Sequence, residues 1–440
     1  VNRSASGVTL VLLAVAAAAL LGLAVIASPG VALPFSIELL LLLVLTVWGL
    51  SREPDLDLRR WLVRLALAAL ALRLLLVLVV QFRFSPYFFA PDAQAYERIG
   101  REISNYWSGE GFAPRAIREG WRPGYYHLNA VFYSAFGDSR LALVVINMFA
   151  GVWTALFTFY LTKEFLPVAS AKVAALLTGV FPSLVLWSVL NIRDSLATLC
   201  TVMLVLYAIR LTKRFQPYDL WAFLGALLGL GLLRDYMAFL VLLGLVIGSV
   251  TAVRPDRMFA TMLFGTIAAV ALTYLADQVG LFSSIRPEGL LETAQILRSG
   301  LQQGAVSAFG VGADTGTIGA ALRYIPIGAS FLLFAPFPWD IQSTLQATAM
   351  GETLLWYPLF LLSILGFRIS FRDRLPAALV PVSVLLVVVS SYALVEGNFG
   401  TAYRHRAQIM PLFFIFSGIG LSWIKIRVID QTQWWRTRAR

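Results

Sequence analysis

The chain is predicted to be an all-α polytopic membrane protein with about twelve transmembrane helices and one further broken or re-entrant segment. Three observations predict this. Of 440 residues, 59% are hydrophobic and only 13% are charged, and the mean hydropathy is +0.78, more apolar surface than a soluble domain can hide. Apolar runs long enough to cross a bilayer recur along the whole chain. The basic residues between those runs fall largely on one side when the crossings are counted.

The runs lie near 8–27, 35–50, 61–81, 141–162, 171–189, 195–211, 219–233, 236–253, 259–278, 352–367, 376–395 and 409–424. The first has the small-residue bias of a signal peptide but no clear cleavage site, and it reads as a retained helix. Residues 1–60 then form a transmembrane hairpin with a cytoplasmic linker, 61–425 the main module and 426–440 a basic cytoplasmic tail. Run 320–337 contains Pro326 and Pro336 and is expected to be broken. With the N-terminus in the cytoplasm, Lys163, Lys172 and Lys213 fall inside, as do Arg52, Arg59, Arg60, Arg210, Arg214, Arg254 and Arg257. A re-entrant 320–337 also leaves "FRISFRDR" (367–374) and the tail with Lys425 inside. The outer loops are then 82–140 and 279–320, with shorter ones at 190–194, 234–235, 338–351 and 396–408.

The first outer loop has helical periodicity. "AQAYERIGREISNYW" places Tyr96, Ile99, Ile103 and Tyr106/Trp107 on one face, and "RPGYYHLNAVFYSAFG" (122–137) reads as a second amphipathic helix. One cysteine, Cys200, permits no disulfide within the chain. Two histidines, His127 and His405, are too few for a multi-histidine metal site. The net charge of +11 suits anionic headgroups or a phosphorylated ligand. Its scatter between spans argues against nucleic acid.

The polar clusters gather in the outer loops: Asp92 with Tyr96, Arg122 with His127, "NIRDS" (191–195), "LRDY" (233–236), "PFPWD" (336–340) and "EGNFGTAYRHR" (396–406). Asp92 suits an N-cap, and equally a general base that takes a proton from an incoming hydroxyl. Asp194, after Arg193 and near Asn191, suits a helix N-terminus or a second carboxylate that steers an acceptor. A divalent cation, Mg or Mn, held by Asp92 and Asp194 is the metal alternative. Arg404, His405 and Arg406 are candidates for binding a lipid phosphate or pyrophosphate, against headgroup snorkelling. Arg73, inside a span, is expected to pair with Glu396 or Asp92 or to join that phosphate site. Arg234 and Asp235 read first as a local ion pair. Trp339 suits an interfacial belt or the wall of a sugar groove, and Asn398 a substrate contact.

This order of parts resembles the GT-C glycosyltransferases, integral membrane enzymes that use polyprenyl-phosphate sugars. The nearest pattern is the group that contains the protein O-mannosyltransferases and the lipid A aminoarabinose transferase. "APDAQAYERIGREI" is similar to their first outer loop, with Asp92 at the acidic position; "NIRDS" is similar to a second acidic loop, and "AYRHRAQIMP" to the basic tract before the last span. Those relatives carry adjacent Asp-Glu, whereas Ala93 follows Asp92 here, which argues against protein O-mannosylation. The resemblance covers most of 61–425 and implies a GT-C-like fold. It also implies inverting transfer from a polyprenyl-phosphate-linked sugar donor to a glycan, lipid or protein acceptor. Asp92 would be the base, and Arg404 and Arg406 would sit on the departing phosphate. It implies an integral protein of a prokaryotic plasma membrane, its site on the extracytoplasmic side. Two rivals stay open: an O-antigen ligase or polymerase acting on lipid pyrophosphates without a carboxylate base, and a transporter of lipid-linked sugars.

Overall fold

The computed structural model describes residues 29–118, 124–137, 139–252, 270, 274, 287–303, 308–341, 343–373 and 376–438. Runs 8–27 and 259–278, Arg122, Arg254 and Arg257 lie outside the described residues, apart from 270 and 274. The described chain is helical, and its one bridge between extended residues joins Ala308 to Asn398.

Helix α1 is Pro29–Leu50 and α2 is Leu56–Arg83. Asp55 caps α2 by accepting from the backbone N–H groups of Asp57 and Leu58. Two surface-type helices follow, α3 (Asp92–Trp107) and α4 (Gly124–Phe136). Then come α5 (Arg140–Lys163), α6 (Val168–Val180), α7 (Pro182–Ser188), α8 (Asp194–Lys213), α9 (Pro217–Leu233) and α10 (Asp235–Ala252). The rest are α11 (Pro287–Gln302), α12 (Ile318–Phe334), α13 (Thr344–Arg372), α14 (Leu379–Val395) and α15 (Phe399–Arg438).

Among the described residues six helical segments are long and apolar enough to cross a membrane: Leu56–Val80, Arg140–Lys163, Asp194–Lys213, Thr344–Arg372, Pro376–Val395 and Phe399–Lys425. The pair α6 and α7, bent by 52°, makes a seventh if it is one span. Shorter apolar helices cover 34–50, 217–233, 235–249 and 318–334. Large apolar side chains stand exposed along these helices, among them Leu40, Val44, Leu354, Leu361 and Leu386. Lipid tails satisfy such surfaces; water would not.

The expected break in 320–337 lies elsewhere. Helix α12 runs through Pro326 without interruption, and Pro336 falls beyond its end. The sharp bend comes where Pro182 starts α7.

The chain forms two compact units, one of residues 1–156 with 178–199, the other of 157–177 with 200–440. In the first, α3 packs on α4. In the second, α13 lies along α15 and α10 along α14, with α12 against α14. Trp356 and Tyr357 of α13 donate to the carbonyls of Leu333 and Phe334, at 2.7 and 3.0 Å, which ties α13 to the end of α12.

Candidate active site

In the first unit the site is built from α3, α4 and the turn before α8. Pro91 occupies the N-cap of α3 and no side chain caps that end, so Asp92 is the first helical residue, not the cap. The carboxylate is exposed and lies in the turn where the helix dipole favours negative charge. The buried face of α3 is Ala93, Tyr96, Glu97, Gly100, Ile103 and Ser104. This face is rotated from the expected one: Tyr106 and Trp107 are exposed and Glu97 is inside.

Tyr96 packs edge-on against Tyr125 at 4.9 Å and beside Tyr126 at 5.1 Å. Burial pushes the Tyr126 phenol up; the Arg193 cation opposes this, and the Asp92 carboxylate adds to it. Asp92 and Arg193, both named from sequence, thus act on one tyrosine.

Behind that surface lies a neutral network. Tyr125 Oη donates to Asn191 Oδ1 at 2.7 Å, and Asn191 Nδ2 donates to Asn129 Oδ1 at 2.9 Å. Asn147 Nδ2 reaches the carbonyls of Leu190 and Ile192 at 2.8 and 2.9 Å, and Tyr125 Oη at 3.0 Å. These bonds fix the "NIRDS" turn, which lacks helical partners of its own. Asp194, the first residue of α8, is buried. Burial, with smaller contributions from Tyr96, Tyr133 and Asp194, drives the Tyr125 phenol well up against the Asn147 hydrogen bond.

Glu97 is a third carboxylate, absent from the sequence candidates. It is buried and accepts from Tyr87 Oη at 2.7 Å. Burial raises its pKa, opposed by Tyr87, Arg140, Arg101 and Asn191. Among the described residues no group of three or more His, Cys, Asp or Glu side chains could hold a metal ion. His127 is half-buried, its ring 6.2 Å from that of Trp107.

Arg73 has a different role from the one expected. It is fully buried, and its guanidinium donates to Ser188 Oγ at 2.8 Å, to Gly179 O at 2.8 Å and to Ala69 O at 3.0 Å. It thereby stitches the bend between α6 and α7, where Pro182 lacks the N–H that would continue the ladder. Gly151 makes room for it: a Cβ there would lie 2.7 Å from Arg73 Nε.

The second unit carries the basic tract at the start of α15. Asn398 accepts from the Gly400 N–H at 2.7 Å, which places it at the helix start. Arg404 is half-buried. His405 pairs through Nδ1 with Glu396, which is fully buried and also accepts from Thr401 Oγ1 at 2.6 Å. Arg234 Nη1 lies 2.9 Å from His405 Nε2. With Nδ1–H donated to Glu396, Nε2 is left to accept from Arg234. Tyr392 stacks on the imidazole at 4.4 Å and 7°.

Arg406 is the second correction. It is fully buried, and Nη1 donates to the carbonyls of Leu333 and Ala335 at 3.0 and 2.9 Å, with Nη2 near Thr353 Oγ1 at 3.3 Å. Its fork closes the C-terminal end of α12 instead of facing a phosphate. Trp339 is 82% exposed and stacks on Phe337 at 5.2 Å. An apolar cavity of about 230 Å³ is lined by Leu333, Phe360, Phe367, Leu385, Phe413 and Phe416.

Residues 122–278 match the family described as dolichyl-phosphate-mannose-protein mannosyltransferase. No curated protein sequence matches the chain. Among solved structures, the archaeal oligosaccharyltransferase AglB from Archaeoglobus fulgidus, in complex with an inhibitory peptide and a dolichol-phosphate, is similar at TM-score 0.42 and 16% identity. The match covers 87% of this chain and 52% of that one. The Archaeoglobus fulgidus oligosaccharyltransferase tethered to an acceptor peptide with the NVT sequon is similar at TM-score 0.40 and 15% identity, over 86% of this chain and 50% of that one. The chain thus spans about half the length of these structures.

Proposed function

We propose that the chain is a GT-C-type membrane glycosyltransferase that moves a sugar from a polyprenyl-phosphate carrier to an acceptor hydroxyl, with Asp92 as the general base; the match of residues 122–278 to the mannosyltransferase family supports this reading. The observation that carries this reading is the placement of Asp92. It is an exposed carboxylate on the first turn of a helix whose other face is locked by Tyr96, Tyr125 and the asparagine network. A base must reach solvent-borne acceptor yet be held still, and this arrangement supports both. Asp194 is the second carboxylate of the proposal, with Arg193 as an acceptor contact and Asn191 holding the turn that carries both.

In the second unit, Arg404 is assigned to the donor phosphate, which gains charge as the glycosidic bond breaks. The apolar cavity, walled by Phe360, Phe413 and Phe416, suits a stretch of the carrier's prenyl tail. The reaction is placed on the extracytoplasmic side of a prokaryotic plasma membrane. That side is supported by the lysines, whose positions put the Asp92 loop opposite Lys163 and Lys213. The acceptor is a hydroxyl of a glycan, lipid or protein.

The test is Asp92→Asn in the purified full chain. The shape is kept, and no cap is lost because Pro91 holds that position. Turnover should fall roughly 10²–10⁴-fold, the range for removing a general base, with the unfolding temperature unchanged. Normal turnover by a folded Asp92→Asn variant would sink the assignment and favour the rival without a carboxylate base.

A further inference from the structure

Residues 308–317 join α11 to α12 in the second unit, and their packing is specific. Gln302 Nε2 donates to Phe309 O at 2.7 Å, and Phe309 N–H to Gly397 O at 2.9 Å. The Phe309 ring lies parallel on Phe331 at 4.3 Å. Ala313 N–H closes a turn onto Gly310 O at 3.2 Å.

Three donors surround this turn. Arg298, only 2% exposed, donates through Nη2 to Ala313 O and lies with its guanidinium carbon 4.6 Å from the Tyr324 ring centre. Its Nη1 is buried with no acceptor. Thr315, 1% exposed and two residues past Ala313, has a buried hydroxyl with no partner. The Tyr324 hydroxyl, also buried, has none either. It abuts Gly310 so closely that a Cβ there would lie 2.1 Å away. Whether or not the phenol oxygen accepts from the nearby guanidinium, its own hydrogen is left without an acceptor.

The carboxylates nearby are engaged elsewhere. Asp314 is exposed and accepts from Gly316 N–H at 2.8 Å. Glu396, next to the Gly397 that abuts Arg298, holds His405 and Thr401. Among the described residues no ion pair neutralises Arg298. A buried guanidinium without a counter-charge, beside two hydroxyls without acceptors, is costly in every part. One anion resolves all three.

We propose that Arg298, Thr315 and Tyr324 form a binding site for a phosphoryl group. A guanidinium corner and two hydroxyls match the several oxygens that a phosphate monoester presents, where a carboxylate has two. The phosphoryl group has two possible sources, a prenyl phosphate or free inorganic phosphate. The first deepens the glycosyltransferase reading and rests on it; the second does not.

The test follows thermal unfolding of the detergent-solubilised full chain against inorganic phosphate, geranyl phosphate and, as control, geraniol. In the wild type a phosphate should raise the unfolding temperature in a saturable way. Arg298→Gln should weaken the apparent affinity about 10- to 100-fold, the worth of a hydrogen bond to a charged group. Thr315→Val and Tyr324→Phe should each weaken it less, about 3- to 10-fold, and they carry the test if Arg298→Gln does not fold. Stabilisation by geranyl phosphate alone assigns the lipid source, and stabilisation by both assigns free phosphate. No effect of either phosphate on the wild type, an equal effect of geraniol, or an effect that the three variants leave untouched would overturn the site. Binding is read without turnover, so a failure here leaves Asp92 standing. A failure at Asp92 likewise leaves this site standing.

Discussion

One buried network in each unit solves the same problem, holding polar groups among apolar helices, and the two networks do so in opposite ways. The first uses neutral amides and a phenol: Tyr125, Asn129, Asn147 and Asn191 satisfy one another and the turn before α8. The second uses charge: Glu396, His405 and Arg234 form a chain of carboxylate, imidazole and guanidinium. Neutral networks lose little when one member is weakened. A buried charge left without its partner costs far more. The first arrangement therefore suits a rigid platform under the proposed base Asp92, and the second suits a site that must tolerate an anion.

The largest expected effect tests the charged chain. Glu396→Gln keeps the shape and an acceptor for Thr401 but removes the negative end. The buried Arg234 then loses the negative charge that reaches it through His405, and stability should drop by about 3–5 kcal/mol, as when one partner of a buried pair is removed. Denaturant unfolding in mild detergent measures it. A loss no larger than that of a neutral amide would erase the distinction between the units.

The neutral network gives the middle effect. Asn147→Leu fills similar volume but strands the carbonyls of Leu190 and Ile192. About 1–3 kcal/mol should go, the cost of a buried group without its hydrogen bond. The same variant should lower turnover through KM and kcat together, because the "NIRDS" turn loosens. A stability loss with kinetics untouched would show that the network supports the fold alone.

The helices, their order and the polar clusters were largely legible in the sequence, because hydropathy and period report burial directly. Partnership across the chain was not. Arg73, a charge inside an apolar run, and Arg406, in the basic tract before the last span, both seemed to await an anion. Both instead donate to backbone carbonyls at helix ends, Gly179 for one and Leu333 and Ala335 for the other. A helix end that needs a donor is invisible until the bend that frees its carbonyls is seen. Pro182, the signal for one such bend, could have suggested it. Glu97 was missed because the aromatic residues of α3 suggested a face one step around the helix. The pattern Ala93, Tyr96, Gly100, Ile103 of small and apolar residues runs past Glu97 and could have found it.

The smallest effect separates the units by sign. In the first, Glu97 is raised chiefly by burial, with Tyr87 and two arginines opposing. In the second, Glu164 is also pushed up by burial, but Arg210 and Lys213 outweigh this and hold it below the ordinary range. Arg210 Nε sits 2.8 Å from Glu164 Oε1, and Lys213 Nζ 3.2 Å from Oε2. A raised folded pKa means that the folded state keeps its proton after the unfolded chain has lost it. The contribution of Glu97 is therefore full at acid pH and is lost as pH rises through its raised value. A lowered folded pKa works the other way, so the contribution of Glu164 is full above the ordinary carboxylate range and is lost as pH falls through its lowered value. Glu97→Gln and Glu164→Gln remove these titrations one at a time. Unfolding temperatures are followed from about pH 3 to pH 8, a window that brackets ordinary carboxylates. Wild type minus Glu97→Gln should fall with rising pH, and wild type minus Glu164→Gln should rise. Slopes of the same sign would mean that Tyr87 and the arginines around Glu97, with Arg101 Nη2 at 3.9 Å from Oε2, outweigh its burial.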